Sequence, residues 1–303
     1  MKNLVKVLVP FMIVVVSLSA CGQNKSKENK TEEPIMKKEA TLEMNKDSLY
    51  NNVATQIEKN ILERKSKLSE DAIAVLLETQ NLLNNIENGK KEDLIKKGNE
   101  LIGNLEVLFA KDPSLVLIPV DVNYKREEFV ADIETVRKNI ALAKTAMDKG
   151  EYRVASDILK DLRSEMVIST YFIPTATYPD AIKAAVVFLE EDKKDLAART
   201  LAGVLSSLVI QETVIPLPVL NAEEMIKEAA KIDKKNHDNS DKVINLLKNA
   251  DYQLQLAEEM GYGKKDKEFA ELSLAIESLK KSVDKKQDSQ SKFDSLKEKM
   301  KGL

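Results

Sequence analysis

From Asp47 onward apolar residues recur at intervals of three and four, the period of a helix with one buried stripe. Leu49, Val53, Ile57 and Ile61 form the first stripe. Ser69 is placed to cap a second helix, with Glu70 and Asp71 at its positive end and Ile73, Leu76, Leu77, Leu83 and Ile86 along one face. Asn88-Gly89 ends that run. Leu94, Ile95, Leu101, Ile102, Leu105, Leu108 and Phe109 carry a third stripe. It stops at Asp112-Pro113, because the residue before proline is pushed out of the helical region. These runs predict a helical hairpin within an all-α chain of packed hairpins, about nine or ten helices in total.

Two further hairpins resemble each other. Setting Lys149-Gly150-Glu151 against Glu191-Asp192-Lys193 brings Ala155 onto Ala197, Leu159 onto Leu201, Val167-Ile168 onto Val209-Ile210 and Ile173-Pro174 onto Ile215-Pro216. This ungapped offset of 42 residues predicts a weak repeat of helix, tight turn, helix and extended exit. It fits an array with a peptide-binding concave face, or, more plainly, two hairpins packed as a bundle. Residues 115–121 and 209–218 are apolar and β-branched, interrupted by proline. They are expected as buried extended connectors or a small edge pairing, since proline excludes a central strand.

In the last third, Asn221 with Glu224 reads as a capping-box start. Stripes then run through Ile226 and Ala229, through Val243, Ile244, Leu247, Leu254 and Ala257, and through Phe269, Leu272, Ile276 and Leu279. Gly261-Tyr262-Gly263 breaks the helix between the last two. After Ser282 only Val283, Phe293, Leu296, Met300 and Leu303 interrupt Lys, Asp, Ser and Gln, which predicts a loose amphipathic helix or a disordered tail.

The first residues carry an address. Lys2 and Lys6 form a positive region, Leu4 to Val16 an apolar one, and Leu18-Ser19-Ala20-Cys21-Gly22 has the pattern of a bacterial lipoprotein signal. Leu4 to Ala20, with Pro10 inside, lies at the lower limit for spanning a bilayer. Cys21 is the only cysteine, so its conversion to a lipidated N-terminus leaves no thiol for disulfides, metal sites or nucleophilic catalysis. The expected setting is the cell envelope, anchored to the membrane by lipid and facing away from the cytoplasm. Gln23 to Lys46 then reads as a polar tether. The resulting organisation is signal 1–20, lipidated Cys21 and tether 21–46, N-terminal helices 47–114, helical core 115–231, C-terminal helices 232–282 and charged tail 283–303.

With 47 basic and 50 acidic groups interspersed, the chain has no clustered basic face for duplex nucleic acid. Its 43% of hydrophobic residues is enough to build a core. The single histidine, His237, lies in a polar run before Ser240, which is placed to cap the next helix. His237 cannot build a histidine metal site alone, and Asp238, Asn239 and Asp241 lack the glycine and terminal glutamate of a calcium loop. Neither a metal nor a cofactor is expected. With a single histidine, any response to pH would have to rest on carboxylates titrating around pH 4.

Hydroxyls and aromatics concentrate in residues 169–180, and this connector supplies most of the candidate contacts: Arg163, Thr170, Tyr171, Thr177, Tyr178 and Asp180. The plainer account of these is structural. Pro179 and Asp180 suit a first helical turn, Thr177 or Tyr178 sits where a cap belongs, and Arg163 and Glu165, two apart on a helix, do not face each other. Hydroxyls without a nearby histidine or nucleophile-elbow glycines give little support for an atypical hydrolase.

Arg163-Ser164-Glu165, Ser169-Thr170, Pro174, Ala176-Thr177-Tyr178-Pro179, Val214-Ile215-Pro216-Leu217-Pro218 and Ile118-Pro119-Val120-Asp121 together resemble the bacterial YfdX family, over roughly residues 115–231. The resemblance implies a mostly helical, exported protein linked to stress responses, including acid and drug tolerance. It further implies binding or chaperone-like behaviour toward a peptide, small molecule or unfolded client, without an accepted enzymatic mechanism. The lipobox, tether and Lys-rich tail depart from the usual family form. A homo-oligomer, or an adaptor presenting a helical-repeat surface to another envelope protein, fits the same sequence.

Overall fold

The computed structural model describes residues 42–235, 237–263 and 267–300, so the signal, Cys21, most of the tether and Leu303 lie outside the described residues. The expected periodic runs form α1 (Lys46–Lys65), α2 (Glu70–Asn85) and α3 (Lys91–Lys111). Strand β1 (Leu117–Glu127) follows, then α4 (Ile133–Asp148), α5 (Tyr152–Asp161), β2 (Glu165–Pro174), α6 (Tyr178–Glu190), α7 (Lys194–Ser206) and β3 (Val209–Pro216). The chain continues through α8 (Leu217–Lys235), a 3-10 turn at His237–Asn239, α9 (Ser240–Glu259), α10 (Lys267–Asp284) and α11 (Gln290–Met300). The fold is mostly helical, as expected, with eleven α-helices among the described residues.

The three proline-bearing connectors are not isolated extended segments. They pair as one antiparallel sheet in the order β1-β2-β3. Proline permits this because of where it falls: Pro174 and Pro216 close their strands, and Pro119 lies at the register irregularity between β1 and β2. The central strand β2 therefore keeps its amide donors along its length. Arg163 and Glu165 are not on one helix either, because α5 ends at Asp161 and Glu165 opens β2.

The two related hairpins link successive strands of this sheet, α4–α5 between β1 and β2 and α6–α7 between β2 and β3. Their tight turns match in backbone as well as in spacing. Gly150 and Asp192, 42 residues apart, both adopt positive φ, at 77° and 63°.

One face of the sheet, through Val122, Met166 and Ile168, packs on Val53, Ile57 and Ile61 of α1 and on Leu217 and Leu220 of α8. A second cluster joins α2, α3, α6 and α7 through Leu82, Leu101, Leu105, Ile182, Leu189 and Leu201. α3 and α6 approach closely there: a Cβ on Gly98 would lie 2.5 Å from Val186 Cγ2. A third cluster belongs to α8–α11 and includes Phe293, Leu296 and Met300. Those three residues turn the last apolar positions of the Lys-rich tail into a packed helix. The expected start at Asn221 is displaced, because α8 already runs from Leu217 with Pro218 in its first turn, where the missing amide proton costs nothing. Likewise Ser240 opens α9 without capping it; the N-cap position is Asn239.

Candidate functional site

Asp132 ends the loop between β1 and α4 and accepts a 2.7 Å hydrogen bond from the Thr135 amide, capping α4. The Thr135 bonds hold its carboxyl below the usual aspartate range. At the other end of the loop, Lys125 and Arg163 donate to the Glu127 carboxylate and lower its proton affinity, Lys125 contributing most. The segment between, residues 128–132, forms one wall of a cleft of about 340 Å³. Ser164, Pro218, Asn221, Tyr252, Gln253 and Leu256 form the rest, so the segment leading into β2 and helices α8 and α9 all contribute.

Two phenols tie the C-terminal helices to this region. The Ile133 amide donates to Tyr252 Oη at 3.3 Å, and the Ser164 amide donates to Tyr262 Oη at 3.0 Å. Burial raises the Tyr262 phenol above its usual proton affinity, so it stays neutral. Arg137 of α4 pairs with Glu259 of α9 on the outer side. The Asn221 amide donates to the Gln253 side-chain carbonyl at 3.4 Å across the cleft wall. These are amides, a phenol and carboxylates already held by neighbours, a lining suited to orienting a ligand. Among the described residues no hydrogen bond links the Ser164 hydroxyl to a basic side chain or carboxylate, and no group of three or more His, Cys, Asp or Glu could hold a metal ion.

The six residues singled out from the sequence are dispersed. Arg163 is exposed after α5 and pairs with Glu127 at 3.3 Å. Thr170 is buried on the central strand, with no hydrogen-bond partner for its hydroxyl among the described residues. Tyr171, its neighbour on the strand, is half-buried beside the cluster of α2, α3, α6 and α7. Thr177 holds the N-cap position of α6 without a side-chain bond, and Asp180 is exposed in the first turn. Tyr178 is buried and donates to Thr79 Oγ1 at 3.1 Å, with burial raising its proton affinity.

Sequence reading passed over the cleft residues because they come from four separate segments. The one local signal was Tyr252, a phenol in an otherwise aliphatic stripe whose hydroxyl needs a polar partner when buried. Among the described residues no helix is long and apolar enough to cross a membrane.

No curated protein matches the chain. A structure of YfdX from Salmonella Typhi aligns with 50% of this chain and 93% of its own at 14% identity and a TM-score of 0.33. The family model for YfdX protein matches residues 75–214, from within α2 to within β3. The match begins well before the motifs that carried the resemblance and stops short of α8. It takes in the helices that share one core with α6 and α7, together with the sheet. YfdX is not a known enzyme family. Over residues 75–214, 140 of its 303, the chain is similar to the YfdX family.

Proposed function

We propose that this chain is a non-catalytic binding lipoprotein of the cell envelope, acting in stress tolerance by holding a small ligand or an unfolded client. In this reading residues 1–20 are removed and a lipidated Cys21 anchors the folded part through the tether. The observation that carries the binding role is the cleft bounded by residues 128–132, Ser164, Pro218, Asn221, Tyr252, Gln253 and Leu256. Its volume of about 340 Å³ suits a small molecule, and its wall offers hydrogen bonds without a nucleophile and base in contact. A second reading, an adaptor that recruits another envelope protein, is favoured by the exposed apolar side chains on α4 and α5.

The test is native mass spectrometry of the full chain purified gently from its host envelope. The binding reading expects a reproducible excess mass on the wild type that is lost in Ala131→Trp, which fills the cleft. A wild type carrying no excess mass, or an excess mass that Ala131→Trp retains, discards the cleft as the ligand site. In the same preparation Cys21→Ser is expected to stay unprocessed and unlabelled by fatty acid; normal processing would refute the lipid anchor.

A further inference from the structure

The two repeats give equivalent side chains opposite fates. Leu201 of α7 and Leu189 of α6 are fully buried, at 0% and 1% exposure, whereas their counterparts 42 residues earlier, Leu159 of α5 and Met147 of α4, are 45% and 50% exposed. Ala197 and Ala155 are buried in both. In the second repeat the cover is supplied by α2 and α3, which share the cluster containing Leu189, Ala197 and Leu201. Lys194 secures that cover by donating to the carbonyls of Gly89 and Glu87, at 3.1 and 3.4 Å, in the turn between the covering helices. In the first repeat the same place is an open groove of about 390 Å³, lined by Met147, Tyr152, Ala155, Ser156, Leu159, Lys160 and Arg163.

The molecule therefore contains a precedent for what fills such a groove: an amphipathic helix laid along the hairpin. The covering helix α2 has Glu70, Asp71 and Glu78 and no lysine or arginine. Two residues that line the open groove, Lys160 and Arg163, are basic, and its lining holds no carboxylate. Lys149, Arg153, Lys160 and Arg163 stand where the second repeat has Glu191, Asp195, Ala202 and Leu205. We propose that the α4–α5 groove docks an acidic amphipathic helix of another protein, with its apolar stripe on Met147, Ala155 and Leu159 and its carboxylates beside Arg153, Lys160 and Arg163. The groove is distinct from the ligand cleft, so this proposal stands or falls independently of it. A membrane surface is the competing occupant, because exposed aromatic and basic residues also suit a lipid interface.

The probe is a fluorescein-labelled peptide with the sequence of residues 69–86, whose stripe and charged side chains are those of α2. Fluorescence anisotropy on the full chain is expected to give saturable binding. Leu159→Glu should weaken it at least about tenfold. The double variant Arg153→Glu, Lys160→Glu should weaken it and reduce its salt dependence. Replacing Glu70, Asp71 and Glu78 in the peptide by glutamine or asparagine should weaken binding to the wild type and restore part of the binding to the double variant. The three substituted protein positions are solvent-accessible, and an unchanged circular dichroism spectrum and Tm establish that the variants fold. No binding at about 100 µM peptide, or binding indifferent to Leu159→Glu, overturns the proposal. Loss of affinity for anionic phosphatidylglycerol vesicles on Leu159→Glu, with the peptide unbound, replaces it with lipid docking.

Discussion

Hairpins α4–α5 and α6–α7 share a 42-residue offset, a left-handed turn residue and a place between neighbouring strands, but their packing differs. The second is built into the main core beneath α2 and α3. The first has a small cluster of its own, Ala143, Ala146 and Ala155 with Ile158 beside them, and leaves Leu142, Met147, Tyr152, Val154 and Leu159 exposed. Val136 of α4 is also buried, and two polar links tie the hairpin to α9, the Ile133 amide to Tyr252 and Arg137 to Glu259. Near-identical local structure thus serves as scaffold in one copy and as surface in the other. What separates them is which neighbouring helices arrive: α2 and α3 share a core with the second hairpin.

The sharpest way to break this comparison is to truncate the paired leucines. Leu201→Ala should cost about 3 kcal/mol, through lost burial and the cavity left beneath α2, while Leu159→Ala should cost less than about 1 kcal/mol. Chemical denaturation of the two variants measures the difference. Equal losses would mean that α5 is covered in solution, either by a second chain or by a different packing of the hairpin.

A smaller effect should distinguish the turns. Gly150 adopts a φ of 77° at no steric cost, whereas Asp192 holds 63° with a Cβ present. Gly150→Ala should therefore destabilise by about 1 kcal/mol, and Asp192→Gly should stabilise by somewhat less, since aspartate tolerates this region better than alanine. Thermal unfolding of both variants tests the signs, and a stabilised Gly150→Ala would contradict the shared turn geometry.

The weakest expected effect separates the two entrances. Asp132 caps α4 as a carboxylate with its proton affinity lowered by Thr135, while Thr177 sits at the start of α6 without a side-chain bond. A lowered folded-state pKa means that the cap's stabilisation is present above the ordinary aspartate value of 3.8 and is lost as the pH falls through the lowered one. In strong acid, amide exchange in the first turn of α4 should rise before that of α6, and Asp132→Asn, which caps without ionising, should remove the dependence. Because residues 128–132 wall the cleft, this acid response would fall at the edge of the candidate ligand site. Uniform exchange across both hairpins would assign acid sensitivity to the whole domain instead.

The helices were legible because their cause is local. Each needs one apolar stripe, and the stripes through Val53, Ile57 and Ile61 or through Leu94, Leu101 and Leu105 are visible in a few turns of sequence. The turn at Asp192 and the stop at Asp112-Pro113 are local in the same sense. The sheet was only half legible. β-Branched runs marked the strands, but a strand's stability lies in a partner that can be far along the chain, and Val167 finds Lys125 on one side and Val214 on the other. The tail, expected as a loose amphipathic helix or a disordered segment, was likewise half legible: the helix is there, and its packing was not foreseen. Phe293 and Leu296 are sparse in their own segment and become core residues only beside α8 and α10.

Sequence by itself determined the helical period, the breaks, the internal repeat, the pattern of a lipidation signal and the resemblance to the YfdX family. All of these are properties of neighbouring residues or of fixed offsets. Tertiary structure alone decided that Tyr178 is a core residue bonded to Thr79, that Tyr252 and Asn221 share a cleft with residues 128–132, and that Leu159 is exposed where Leu201 is buried. Burial and the convergence of polar groups depend on contacts between segments far apart in the chain, and the local pattern of either segment does not contain them.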